Sequence, residues 1–325
     1  MDTRITERCD LIEENYLLLS KMFMAVPDML TLIVAADSFA DRGKTPDKEK
    51  MEECKKILKK NTGLFSAFRG EAEVTLLSKM AMSEDPEAYF KDVVEAYDNL
   101  KKASSVNESE RVIAAIMICG MNKVKEAGAL GEKASEIINF LKKNHRFVAH
   151  EFEYGYIILL ALSDRKVEDI ADSVERNYHT LVDKLGFHNG SVYRLALVLE
   201  ARGKNSTEDC ERIGIIYRAM LDNGVKYDKE LELPSLGLLA GLGMNENEIA
   251  MHINDIEEYT KNKKGFKSVG NGKASRYMIA VMLLAKLFAS DSDTEGIEDH
   301  ITITLVEEIM LMLALINICI ICSII

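Results

Sequence analysis

Nine consecutive residues, His145-Arg146-Phe147-Val148-Ala149-His150-Glu151-Phe152-Glu153, bring together two imidazoles and two carboxylates. Neutral imidazole nitrogen and carboxylate oxygen are the donors that divalent metals take from proteins. His145, His150, Glu151 and Glu153 are therefore the candidate binding residues, and an enzyme would build its pocket around His145, His150 and Glu153. Their spacing sets a condition. His145 and His150 are five residues apart, which on one helix is a rotation of about 140° between them. They cannot share a helical face, so a loop would have to fold them together. No HExxH or paired CxxC accompanies them. The competing reading is architectural: His145 closes one helix, where a cation meets the negative end of the dipole, and Glu151 and Glu153 open the next. On balance the expectation is no resident metal and no cofactor, with catalytic residues unassigned.

Other chemistry-bearing patterns are weaker. Cys319 and Cys322 form a CxxC, but their neighbours are all apolar, so nothing nearby would stabilise a thiolate. GLLAGLGMN (237–245) has glycines without the Lys-Ser/Thr of a phosphate loop. No GxSxG occurs. The six cysteines show no disulfide-framework spacing and the N-terminus lacks a signal-peptide core, which together point to a reducing cytoplasm. The net charge of −12 argues against a nucleic-acid partner, which would demand a basic face.

The elements that would position any site are helices. Four prolines, no tryptophan and no sustained Val/Ile/Thr alternation predict an all-α chain without a sheet. Apolar residues recur in steps of three and four, as in Ile5-Cys9-Ile12-Tyr16-Leu19, Phe90-Val93-Tyr97-Leu100, Val167-Ile170-Val174-Tyr178-Leu181-Leu185 and Ile249-Ile253-Ile256-Tyr259. Each set is one buried stripe. The four tyrosines, Tyr16, Tyr97, Tyr178 and Tyr259, stand 97−16 = 178−97 = 259−178 = 81 residues apart. GFHNGSVYRLALVLE from Gly186 and GFKSVGNGKASRYMIAVML from Gly265 follow two of them with the same order of turn and apolar helix. Third helices are expected at 52–61, 134–144 and 210–223, and short apolar fourth helices at 73–82, 154–163 and 235–244. The pattern predicts a single repeat domain of four degenerate copies, approximately 1–85, 86–165, 166–246 and 247–325, each of about four helices. Such copies bury their apolar faces against their neighbours, as an α-solenoid or an α/α toroid. Glu14, Glu95, Glu175 and Glu257, just before the tyrosines, would then line one acidic groove.

The run from Lys142 to Glu200 resembles a bacterial family, domain of unknown function 4003. The residues that carry the likeness are Lys142, His145 and Phe147, then Tyr178 and Leu181, then Gly186 and Phe187, with TGLFSAFRGEAEVTLLSK (62–79) beside them. The resemblance spans roughly residues 1–290 and implies a bacterial, all-helical, cytoplasmic protein. It supplies no catalytic residue.

The last seventeen residues, 309–325, carry only Asn317 and Ser323 as polar side chains. As a helix they would span roughly 26 Å, a little short of a hydrocarbon core. Their place in the repeat frame predicts a core helix packed on the segment with Tyr277, Ile279 and Leu283; a membrane tail anchor is the alternative. The function expected from these features is a protein- or peptide-binding scaffold of undetermined oligomeric state. The alternatives are the pocket enzyme, with or without a metal, and a membrane-associated protein.

Overall fold

The structure is a computed structural model. It describes residues 1–23, 29–64, 66–70, 72–144, 154–203, 206–227, 229–230, 232–267 and 272–288. The segments carrying His145, His150, Glu151 and Glu153, and the apolar tail 309–325, lie outside the described residues. Those described are helical, with turns between, and contain no strand.

The helices fall into two classes, set by where their apolar residues stand. The amphipathic class is α1 (Thr3–Met22), α3 (Lys48–Asn61), α5 (Pro86–Ala103), α7 (Ala127–Asn144), α9 (Val167–Leu185), α11 (Ser206–Asp222) and α12 (Glu246–Thr260). Each buries one stripe. In α1 the stripe includes Ile5, Cys9, Ile12, Tyr16 and Leu19, and in α5 Phe90, Val93, Tyr97 and Leu100, as the spacing requires. Tyr178 and Tyr259 are half-buried against the same core. The apolar class is α2 (Met29–Asp41), α4 (Glu73–Met82), α6 (Glu108–Gly120), α8 (Tyr154–Ala161), α10 (Gly190–Ala201) and α13 (Lys273–Phe288). These are buried nearly all round: every residue of α8 is, and so is every residue of α2 from Leu30 to Ala40. A helix without a polar face must be covered on all sides.

Local chemistry marks the ends. Asp2, Asp47, Asp85, Asn107 and Asn189 each accept a backbone N–H of the helix they open, satisfying donors that have no partner within the helix. Asn245 and Glu248 form a reciprocal capping box. Gly186 ends α9 at φ 77°, a left-handed position that a side chain resists. One expectation needs correction. The short helix foreseen at 235–244 is a 3-10 helix, Leu233–Leu239. Gly237, Gly241 and Gly243 disfavour an α-helix. Gly237 lies so close to α10 that a Cβ would stand 2.5 Å from the Val198 side chain.

Packing runs along the chain. α1 pairs with α2, α5 with α6, α9 with α10 and α12 with α13, while α5, α7, α9, α11 and α12 follow one another side by side. The first helix also meets the last: α1 touches α12 and α13. Lys263, just beyond α12, reaches Asp10 at 2.6 Å and Glu13 at 3.1 Å. The Tyr259 hydroxyl donates to Asp10 at 2.8 Å. On the apolar side, Lys286 of α13 pairs with Asp37 and Asp41 of α2, which Arg8 of α1 grips in turn. Among the described residues no helix is long and apolar enough to cross a membrane.

Candidate functional site

Seven residues beyond each of the spaced tyrosines stand Phe23, Ser104, Leu185 and Phe266. Phe23 and Phe266 are buried, and Phe23 carries the Lys55 ammonium over its ring at 4.8 Å. Near Leu185, Phe187 packs on Tyr217 with ring centroids 6.1 Å apart. At Ser104, where α5 ends, the side chain is a hydroxymethyl group. A cavity of about 560 Å3 opens beside it.

Four elements build this cavity: the last turn of α5 with the loop to α6, the outer half of α7, and the start of α8. Its apolar wall comes from Val106, Ile138, Leu141 and Ile157, with the Tyr154 ring. Ser104, Ser105, Ser135 and Asn139 add hydroxyl and amide groups. Lys101, Lys102 and Lys142 complete the lining and are exposed. Each sits in the last turn of its helix, where a cation offsets the negative dipole end. No carboxylate stands among the described lining residues, in a chain whose net charge is −12.

Two polar groups behind this wall are unusual. Arg111, 6% exposed, donates to the Tyr97 hydroxyl at 3.3 Å and to the Val106 carbonyl at 2.6 Å. Its guanidinium lies 5.3 Å from the Tyr97 ring centre, and its Nε has no partner. Among the described residues it forms no ion pair, and its buried positive charge lies beside the cavity. Tyr154 is 1% exposed and its hydroxyl makes no well-formed hydrogen bond. Burial raises its pKa, against the opposing pulls of Ser104 and the Arg111 charge. An unsatisfied buried hydroxyl is costly.

Several other buried polar groups are paired with one another. Glu200 of α10 takes Arg165, Ser173 at 2.7 Å and Asn177 at 3.1 Å. Asp209 faces Arg202 at 3.7 Å. Glu257 binds Arg276 at 2.8 Å. This last pair corrects the acidic groove: Glu257 is buried and paired, whereas Glu14 and Glu95 are exposed, so the four carboxylates do not share one environment. Cys9, Cys54, Cys119 and Cys210 are buried free thiols. Burial pushes the thiols of Cys9 and Cys210 up to about 12. Among the described residues no three His, Cys, Asp or Glu side chains are placed to hold a metal.

The candidates His145, His150, Glu151 and Glu153 are outside the described residues, and of the spaced tyrosines only Tyr97 reaches the cavity's surroundings, through Arg111. The cavity residues were missed by motif reading because serines and lysines at helix ends look like caps and dipole partners. One signal was present: the small polar Ser104 at a position filled elsewhere by Phe23, Leu185 and Phe266.

The model of the family described as protein of unknown function, DUF4003, matches residues 15–318, and the chain belongs to that family. No curated protein and no solved structure matches it.

Proposed function

We propose that this member of the DUF4003 family is a binding protein: four degenerate helical copies closed into a ring, with a small-molecule site in the cavity between α5, α7 and α8. The contacts of α1 with α12 and α13 support closure. The shared tyrosine stripes support the four-copy reading. The observation that carries the binding reading is Ser104. A position that holds core side chains at Phe23 and Phe266 is emptied there, and the chain forgoes the packing that a filled core supplies. The cavity's volume of about 560 Å3 falls in the range of small-molecule sites, roughly 300–1,000 Å3. The ligand is therefore smaller than the protein or peptide partner that the repeat pattern suggested. Free buried cysteines fit a bacterial cytoplasm as its setting.

The test is a ligand-observed magnetic-resonance screen of neutral and charged aromatic fragments against wild-type protein and the Ser104→Phe variant. The phenyl group fills part of the cavity and should raise stability by about 1–2 kcal/mol, the lower end of what burying a Phe contributes. Fragments that bind wild type and are lost in the more stable variant support the site. Fragments that bind both equally, or none that bind at all, overturn it.

A further inference from the structure

We infer that the ligand of this cavity is an organic anion with an apolar body, its phosphate or carboxylate group held among Lys101, Lys102 and Lys142 and its body lodged against Ile138, Leu141 and Ile157. The inference rests on the cavity being a binding site, and deepens that reading from separate observations. The first is charge. Three lysines line one opening that has no carboxylate among its described lining residues; Lys102 Nζ donates to Asn99 Oδ1 at 3.3 Å, and none of the three forms a salt bridge among the described residues. Together with Arg111, they make the described part of this site positive, on an acidic protein. Such a field selects anions and repels cations.

The second observation is the unsatisfied donor. Tyr154 lines the cavity and is almost wholly buried, and its hydroxyl, beside that of Ser104, makes no well-formed hydrogen bond. An oxyanion near Ser104 would accept from that hydroxyl and from the serine hydroxyls of Ser104 and Ser105, a charge-assisted set stronger than neutral hydrogen bonds. The third is the division of the lining. Its apolar side chains are buried or half-buried, while its lysines are exposed. A free inorganic anion would leave the apolar wall unused. A neutral apolar molecule would leave the lysines and Tyr154 unused.

The experiment titrates the full-length protein with 1-naphthyl phosphate, 1-naphthoate, 1-naphthol and inorganic phosphate by isothermal calorimetry. The expected order is naphthyl phosphate and naphthoate tighter than naphthol by at least tenfold, and both tighter than inorganic phosphate. The triple variant Lys101→Gln, Lys102→Gln, Lys142→Gln should weaken the two naphthyl anions about tenfold, from roughly twofold per exposed charge pair, and leave naphthol unchanged. Tyr154→Phe should weaken the anions several-fold with little change in thermal stability, because the hydroxyl it removes makes no well-formed hydrogen bond within the protein. Naphthol binding as tightly as its phosphate, unmoved by the lysine variant but lost in Ser104→Phe, would refute the anion assignment and leave the cavity site standing. Inorganic phosphate binding as tightly as naphthyl phosphate would refute the apolar body. Binding that survives Ser104→Phe, or no binding by any of the four, would refute the cavity site itself.

Discussion

Replacing Asp37 by alanine removes the group on which the first and last described helices converge. Its carboxylate is completely buried, between the Arg8 side chain at 12% exposure and the Lys286 side chain at 6%. Arg8 Nε donates to Asp37 Oδ1 at 2.9 Å, and its Nη2 to the same oxygen at 2.6 Å. Breaking a buried pair from one side costs about 3–5 kcal/mol, because the partner is left charged and dry. Here two cations are left, but Asp41 remains beside both, so the lower figure, about 3 kcal/mol, applies. Unfolding entropy of about 2.1 cal/mol/K per residue over 325 residues is about 0.7 kcal/mol/K. The expected fall in melting temperature is therefore about 4 °C. Differential scanning fluorimetry measures it, with urea melts as a check. The double variant Asp37→Ala, Lys286→Met should recover part of the loss, because methionine keeps the stem's packing without the charge. That recovery is a coupling of at least about 1 kcal/mol. A fall under 1 °C, or a double variant equal to the sum of the singles, would refute the idea that this ion cluster fastens α1 and α2 to α13.

Three further outcomes follow. Gly131→Ala should destabilise by about 1–3 kcal/mol in urea melts, since the new Cβ would stand 2.8 Å from the Ala103 Cβ and 3.1 Å from Leu100, where α7 meets α5. With their pKa raised by burial, to about 12 for Cys9 and Cys210 and about 11 for Cys54, these thiols should resist a disulfide reagent at pH 8 and react only in urea, as peptide mapping will report. The hydrogen bond from Lys263 holds Asp10 below its ordinary 3.8, so its contribution is present above that value and lost as pH falls through the lower folded one. The melting-temperature gap between wild type and Asp10→Asn should accordingly be open at pH 7 and close toward pH 3.

The stripes were legible because helical periodicity is a local property. Ile5, Cys9, Ile12, Tyr16 and Leu19 must share a face of any helix that contains them, and they are buried together. The fate of Glu257 was not legible. A glutamate before a half-buried tyrosine reads as a surface charge until Arg276, nineteen residues on, is brought to 2.8 Å by the packing of α13 on α12. The cavity was half legible. The contrast of Ser104 with Phe23, Leu185 and Phe266 can be seen in the sequence, but that a smaller side chain leaves usable space depends on neighbours from α7 and α8.

The sequence by itself determined the class of the protein: all-helical, with amphipathic helices beside mostly apolar ones, because burial pattern follows from residue spacing along a helix. Only the tertiary structure decided what meets what. It brings Asp10 to Lys263 and Asp37 to Lys286, pairs separated by 253 and 249 residues. It also gathers three lysines, four small polar side chains and an unsatisfied tyrosine around one opening. Such contacts arise from how helices stack. The energy of a charge or a void is set by what lies across it in space, and distance along the chain carries no record of that.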